Sequence, residues 1–381
     1  MSITKFYLFI SSLIFSLVAN SALYPGEKLM DAANAQTLVY FSKGNPSKPL
    51  VIFIPGDSHL ARISYGYPNG KKQDFLSYWL NRKGYSFLGV SYPLENPVYS
   101  QIYPNFTIQD WGEQVIEIAQ KIIKENKLSN NIIILGWSMG GSIEQTVASA
   151  AKKRRLKLEL FIGLAAVPPL PYVMQSGPYE TKTMRTNHLA DRTALFPVFT
   201  QLLDEQDHYN RHIIIPQSIY LSQFIGHIPA AIAAEGYNYQ NGQLIKNVQQ
   251  TLKDGGVFNF ADTPWIALIE DDSPTTAKIS LIDPAAWNFI RTEMIYSHYL
   301  KGNDLNKLTP EQWSKLAHLI DETPDYLKQN VHGNHFFFVG EKGASATANK
   351  IEELESRVKK IRGQIQNITS EHFTSKITNN Y

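Results

Sequence analysis

Residues 131–143 of the chain read NIIILGWSMGGSI, and this stretch decides the fold class. Its first five residues are almost wholly apolar, which is typical of a strand covered on both faces of a parallel sheet. A helical pattern follows from Ser142 to about Lys153, and between the two a glycine stands two residues before and two residues after Ser138. The stretch therefore predicts a buried strand, a sharp turn that carries one serine, and a helix.

Short apolar runs on both sides of this stretch alternate with helical patterns. Strands are predicted at residues 37–41, 50–54, 85–91 and 158–164, and the strand pattern resumes later at 263–269 and 279–282. A helix is predicted to begin after Thr107, which can cap it together with Asp110. This alternation indicates the α/β class, with a mostly parallel sheet and helices on both of its faces.

The predicted domain organisation follows from where the alternation stops. From Val167 to Asp262 the pattern breaks down over a stretch that is too long for a structureless loop, so we expect an inserted cap there. The predicted parts are a signal peptide (1–22), the first half of the core (23–167), the cap or lid (168–262), the second half of the core (263–345), and a C-terminal helix and tail (346–381).

The first 22 residues have the layout of a secretory signal peptide. Lys5 gives a positively charged start, residues 6–19 are apolar apart from serines, and small residues follow at Ala19, Ser21 and Ala22. The apolar run is shorter than the roughly 20 residues that span a membrane. We therefore expect an exported protein, periplasmic or secreted, that keeps no stable membrane span once the signal is cleaved.

Composition excludes several classes of protein. Of 381 residues, 43% are hydrophobic and only 18% are charged, which is opposite to the bias of disordered chains. Lys and Arg number 36 against 34 Asp and Glu, and this near balance argues against broad binding of nucleic acid. The chain has no cysteine, so disulfides, thiolate metal sites and cysteine nucleophiles are excluded.

The serine turn has a chemical rationale. A serine on a sharp turn between a strand and a helix exposes its hydroxyl beside backbone N–H groups that can receive negative charge. About 80 residues upstream, Pro55-Gly56-Asp57 ends another apolar strand. The G-x-S-x-G pattern around Ser138 and this upstream loop resemble the alpha/beta-hydrolase superfamily, in particular its capped serine esterases and lipases. Members of that family often have His-Gly where this chain has Pro55-Gly56.

The resemblance implies roles for particular residues. Ser138 would be the nucleophile, and the backbone N–H groups of Met139 and Asp57 would form the oxyanion hole, with Gly56 next in line as a donor. The base would be a histidine in a late loop, where His335 is followed by an aromatic residue, as in the family's catalytic loop. His332, in the same loop, is the alternative.

The acid of the triad would follow the next-to-last strand. Asp272 is the first candidate and Asp271 is nearly its equal. Asp283 is a rival because it follows the predicted strand at 279–282 and precedes a proline. The residues themselves leave these alternatives open.

The resemblance implies acyl transfer to water through an acyl-enzyme, with no metal and no organic cofactor. The cap is rich in aromatic residues and isoleucine, so a small-molecule or lipid-like acyl substrate is expected, with a carboxylic ester first and a thioester next. A non-catalytic binding protein on the same scaffold is the alternative of a different class. A serine acyltransferase or peptidase of the same fold is a further alternative.

Overall fold

The computed structural model of the protein describes residues 23–170, 184–233, 236–302 and 304–370. The predicted signal peptide, residues 171–183 of the predicted cap and the end of the predicted tail lie outside the described residues.

One large sheet forms the centre of the molecule. Its strands are β1 (Glu27–Ala32), β2 (Ala35–Ser42), β3 (Leu50–Ile54), β4 (Ser86–Ser91), β5 (Asn131–Trp137), β6 (Lys157–Leu164), β9 (Ile266–Asp271) and β10 (Lys328–Val331), while β7 (Tyr237–Gln240) and β8 (Gln243–Lys246) form a separate hairpin. The order in the sheet is β1-β2-β4-β3-β5-β6-β9-β10. Within this sheet only the β1–β2 and β2–β4 pairs are antiparallel, which confirms the predicted α/β class with a mostly parallel sheet.

Helices cover both faces of the sheet. The α-helices are α1 (Arg62–Tyr65), α2 (Leu76–Arg82), α3 (Ile108–Asn126), α4 (Glu144–Lys153), α5 (Phe196–Asn210), α6 (Gln217–Gln223), α7 (Val248–Gly255), α8 (Ala277–Leu281), α9 (Asp283–Ile295), α10 (Pro310–Tyr326) and α11 (Glu341–Ser370). Short 3₁₀ turns lie at Lys72–Asp74, Ser138–Ile143, Thr193–Leu195, Ala230–Ala233, Pro274–Thr276 and Leu305–Lys307, and a π-turn lies at Tyr296–Leu300.

The central strand β5 shows why the sheet is buried on both sides. Ile132 and Ile134 pack into one hydrophobic cluster, which includes side chains of α3, α4 and α9. Ile133 and Leu135 pack into the other cluster, with side chains of α2 and α11. Successive strand residues point to opposite faces, so an uninterrupted apolar run is what a strand between two helical layers needs.

The start of α3 is as predicted. Thr107 Oγ1 accepts a hydrogen bond from the N–H of Asp110 at 3.2 Å, and the Asp110 carboxylate accepts one from the N–H of Thr107 at 3.0 Å. This reciprocal pair is a capping box, which satisfies backbone donors that a helix end leaves unpaired. The residues of the capping box therefore determine where the helix begins.

The strand predicted at 279–282 is wrong. These residues belong to α8 and to the junction with α9, where Asp283 is the first helical residue and Pro284 follows it. Both neighbours of β9 in the sheet are already occupied, by β6 and by β10. The apolar run therefore has no strand partner to bury it, and Leu281 is 77% exposed.

The segment between β6 and β9 includes the range predicted as a cap, and its described part contains α5, α6, α7 and the β7–β8 hairpin. It is joined to the core by backbone hydrogen bonds. The N–H of Leu60 donates to the carbonyl of Phe224 at 2.8 Å, and the N–H of Gly226 donates to the carbonyl of Ser58 at 2.9 Å. These bonds attach the predicted cap to the loop that follows β3. Within the residues that the structure describes, no helix is both long and apolar enough to cross a membrane.

Candidate active site

The turn between β5 and the following helix holds Ser138 in a strained backbone conformation. Its φ is +52°, in the left-handed region that residues other than glycine seldom adopt. A methyl group on Gly140 would lie 2.7 Å from the carbonyl oxygen of Ile54, and one on Gly136 would lie 2.6 Å from the ring of Phe161. These close neighbours therefore require glycine at both positions, and Ser138 between them remains partly exposed.

The helix that follows the turn starts at Ser138 itself. A 3₁₀ turn over Ser138–Ile143 leads into α4, and its N-cap residue, Trp137, makes no side-chain capping bond. The first N–H groups of a helix have no partner within the helix. The N–H of Met139 is among these first groups of the turn.

The loop after β3 lies directly against this turn. A methyl group placed on Gly56 would be 2.8 Å from Cβ of Ser138, so only glycine permits this approach. The next residue, Asp57, is partly exposed, and its carboxylate lies 3.3 Å from Nε of Arg192, a residue of the predicted cap. The structure thus brings the predicted oxyanion loop to the predicted nucleophile.

Side chains hold two successive carbonyl groups of that loop. The hydroxyl of Tyr92, at the end of β4, donates to the carbonyl of Gly56 at 2.8 Å. His59 Nδ1 lies 2.6 Å from the carbonyl of Asp57, and because a carbonyl only accepts, the ring donates at this nitrogen. His59 Nε2 then accepts from the hydroxyl of Tyr220, at 2.7 Å. Tyr92, His59 and Tyr220 are fully buried.

His335 lies close to the serine turn through Trp137, the residue before Ser138. The indole Nε1–H of Trp137 donates to the carbonyl of His335 at 3.0 Å, and the two rings are 5.4 Å apart. Burial lowers the pKa of His335 to about 4, so its ring is neutral at pH 7. Its Nδ1 is buried and has no hydrogen-bond partner among the described residues, and no hydrogen bond in that part of the chain joins Ser138 to a histidine.

Asp272 is paired with His332 and not with His335. Asp272 directly follows β9, and His332 directly follows β10, its neighbour in the sheet. The Asp272 carboxylate accepts from His332 Nδ1 at 2.8 Å and from the N–H of Gly333 at 3.0 Å. Partial burial opposes ionisation of Asp272, but these hydrogen bonds outweigh it and lower the pKa of the carboxyl. The pair lies at the surface, where the side chain of His332 is 67% exposed.

The other candidate acids lie in buried positions. Asp271 is the last residue of β9 and accepts the N–H of Ser273 at 3.0 Å, whereas Asp283 is the first residue of α9. The pKa of Glu270, a residue that was not predicted as a candidate acid, depends on both of these carboxylates. Burial, and next the charges of Asp271 and Asp283, raise its pKa well above the usual range. Across the described ranges, no group of three or more His, Asp or Glu side chains is arranged to hold a metal ion.

No protein-family model matches the chain, and no curated protein matches it in sequence. Similar solved structures include a serine hydrolase from Cycloclasticus zankles, with 12% identity over 86% of this chain and 96% of that chain and a TM-score of 0.48. An esterase from Thermogutta terrifontis has 13% identity, coverage of 87% and 98%, and a TM-score of 0.47. An epoxide hydrolase from Vigna radiata has 11% identity, coverage of 87% and 97%, and a TM-score of 0.47.

Proposed function

The chain has the alpha/beta-hydrolase fold, and from this premise we propose that it is a serine hydrolase in which Ser138 is the nucleophile. The observation that carries the proposal is the backbone of Ser138. A left-handed φ of +52° at a non-glycine residue costs stability, and such strain is retained where it holds a side chain in place for a task. The close approach of Gly56 to the same residue supports an oxyanion hole beside it.

The proposed reaction is hydrolysis of a carboxylic ester, with a thioester as the next candidate. Ser138 Oγ attacks the carbonyl carbon while His335 takes the serine proton. The N–H groups of Met139 and Asp57 face the oxygen that becomes negative, and His335 then gives the proton to the leaving alcohol. Water then attacks the acyl-enzyme, with His335 again taking and returning a proton, and releases the acid. The contact between His335 and Trp137, and the neutral state that burial gives the histidine ring, support this assignment.

His332 is the second candidate for the base, and its hydrogen bond with Asp272 favours it. If His332 is the base, then Asp272 acts directly as the acid that fixes the ring's tautomer. If His335 is the base, then Asp272 positions the loop through His332 and Gly333. Either scheme uses a histidine from the segment 332–335 and the carboxylate that follows β9.

The substrate is proposed to carry an apolar acyl group. Phe199, a partly exposed residue of α5 in the predicted cap, lies against His59 beside the oxyanion loop, with ring centroids 4.9 Å apart. Aromatic side chains at this position favour an apolar ligand.

We also propose export, on the charged and apolar pattern of residues 1–22, and expect the N-terminus of the mature protein near residue 23.

Labelling with a fluorophosphonate probe tests the nucleophile. We expect the wild-type protein to be labelled at Ser138, the variant Ser138→Ala to lose the label, and the variant Ser222→Ala to keep it, because Ser222 is an exposed serine on α6. A folded wild-type protein that stays unlabelled while a reference serine hydrolase reacts would favour the binding-protein alternative. For export, a mature protein that still begins at Met1 would contradict the cleaved signal.

A further inference from the structure

The peptide group between Gly56 and Asp57 is oriented by a buried tyrosine. In a trans peptide the carbonyl and the N–H point in opposite directions. The carbonyl of Gly56 is held by the hydroxyl of Tyr92 at 2.8 Å and by the N–H of His59 at 3.4 Å. The N–H of Asp57 belongs to the same peptide group, so its direction is set by whatever holds that carbonyl.

The next peptide group is oriented from the other side. The carbonyl of Asp57 accepts from His59 Nδ1, which fixes the tautomer of His59, and the free lone pair of Nε2 then accepts from the hydroxyl of Tyr220. The His59 ring also lies between aromatic neighbours, with Trp137 and Phe199 both at 4.9 Å between ring centroids. Burial lowers the pKa of His59 to about 3, so the ring stays neutral and keeps one donor and one acceptor. The loop is therefore held at two consecutive carbonyls by two buried side chains.

We propose that Tyr92 and His59 are positioning residues for the oxyanion hole, and that Tyr220 of the predicted cap holds the other ring nitrogen of His59 in place. Tyr92 directs the N–H of Asp57 through the carbonyl of Gly56, and His59 fixes the carbonyl of Asp57. Neither side chain touches the substrate. The inference rests on the proposed function and deepens it, because it names the groups that determine the geometry of one oxyanion donor.

Such residues should affect the transition state more than binding of the ester. The oxyanion forms only after attack, so a misdirected donor lowers kcat and leaves KM nearly unchanged. It should also weaken the preference for an ester over the matching thionoester, in which sulfur replaces the carbonyl oxygen. Sulfur is a weak hydrogen-bond acceptor, so a well-directed N–H favours the oxygen substrate. Loss of folded enzyme would also lower the apparent kcat at constant KM, but it would leave the preference for the ester over the thionoester unchanged.

The test compares Tyr92→Phe, His59→Asn and His59→Leu with the wild type, on a short aryl ester and its thionoester. For Tyr92→Phe and His59→Leu we expect kcat to fall at least about tenfold, below the roughly 10²–10³-fold cost of removing an oxyanion donor altogether. His59→Asn keeps a donor near the position of Nδ1 and should recover much of the loss. Tyr85→Phe is the matched control, because it also removes a hydroxyl from a buried tyrosine, one that contacts Glu355 of α11.

The outcomes separate the inference from the proposed function. If Ser138 is labelled and active in the wild type, but Tyr92→Phe and His59→Leu keep the kcat and the ester preference of the wild type, then the positioning role is wrong and the serine hydrolase stands. Equal losses in Tyr85→Phe would likewise assign the effect to stability and overturn the inference. A wild-type protein that neither reacts with the probe nor cleaves the ester overturns both. If Tyr92→Phe does not fold, His59→Asn against His59→Leu decides the same question.

Discussion

The carboxylate of Asp272 and the imidazole of His332 form a hydrogen bond of 2.8 Å between the ends of two neighbouring strands. Parallel strands end at the same edge of a sheet, so the residues that follow β9 and β10 meet there. Three residues further along the chain, His335 turns inward and packs against Trp137. One short segment thus offers two histidines, one held by an acid at the surface and one buried beside the serine turn.

Substitution of each histidine by glutamine distinguishes the two bases. A general base contributes about 10²–10⁴-fold to the rate, so we expect His335→Gln to lower kcat/KM by this factor and His332→Gln to have a much smaller effect. Ester hydrolysis by the purified variants measures this, and His318→Gln, at an exposed position on α10, is the control. If only His332→Gln loses activity, then His332 is the base and Asp272→Asn should reproduce the loss.

The pH dependence of the same reaction is a second test. Protonation removes the base, and burial lowers the pKa of His335 from 6.5 to about 4. With His335 as the base, kcat/KM should therefore hold steady from pH 7 down to about 5 and fall as the pH drops through about 4. A fall in activity near pH 6.5 would show that the base is not this buried histidine.

Gly56→Ala should abolish most of the activity without unfolding the protein. The added methyl group would lie 2.8 Å from Cβ of Ser138 and 3.1 Å from the ring of Trp137, so the loop must move away from the serine. We expect a loss in kcat comparable to the roughly 10²–10³-fold cost of losing an oxyanion donor. Gly363→Ala on α11, where a methyl group meets nothing within 4 Å, is the matched control. Equal activity of both variants would contradict the close approach of Gly56.

Glu144 should make the stability of the protein depend on pH. Its side chain is fully buried on α4, and burial raises its pKa from 4.5 to about 8 against a weaker opposing effect of the Gln145 side chain. Between these values the unfolded chain has lost a proton that the folded protein still binds, so the free energy of unfolding falls as the pH rises through this window.

Glu144→Gln removes that titration. Below pH 4.5 the two proteins should differ least, and the advantage of the variant should grow to several kcal/mol at pH 8, because each unit of pKa shift corresponds to about 1.4 kcal/mol. Urea unfolding at about pH 5 and about pH 8, near the two ends of the window, measures the difference. Parallel pH profiles for the two proteins would mean that the carboxyl is not buried as described.

The capping box of α3 should contribute a measurable part of the stability. Thr107→Ala removes the acceptor for the N–H of Asp110, and loss of such an N-cap costs about 1 kcal/mol. Thr107→Ser keeps the hydroxyl and should stay close to the wild type. Thermal unfolding of the three proteins checks this, and a serine variant as unstable as the alanine variant would show that the hydroxyl is not the cause.

The sequence alone predicts those elements whose pattern is local or strongly apolar. The run of β5, the turn at Ser138 and the N-cap at Thr107 are each encoded in a few neighbouring residues, and the predicted α/β class with a mostly parallel sheet is confirmed. The edge strands β1 and β10 are absent from the predicted strands. Each has one partner strand and several positions that are exposed or partly exposed, so neither has an apolar run.

Contacts between distant parts of the chain cannot be predicted in the same way. The pairing of Asp272 with His332 depends on two strand ends that are 60 residues apart. Tyr92 and His59 carry no motif, and only the course of the backbone shows that they hold successive carbonyls of one loop. The structural task of His59 therefore cannot be inferred from the sequence.

The backbone hydrogen bonds from Leu60 to Phe224 and from Gly226 to Ser58 have a consequence for how molecules reach the serine. A flap that swings open along this border would have to break both bonds and expose the buried ring of His59 to water. Access to Ser138 by an opening along this border would therefore cost both hydrogen bonds and the burial of His59. For the same reason, a shortened protein without the segment between β6 and β9 would lose both of these bonds and the aromatic side chains that cover His59.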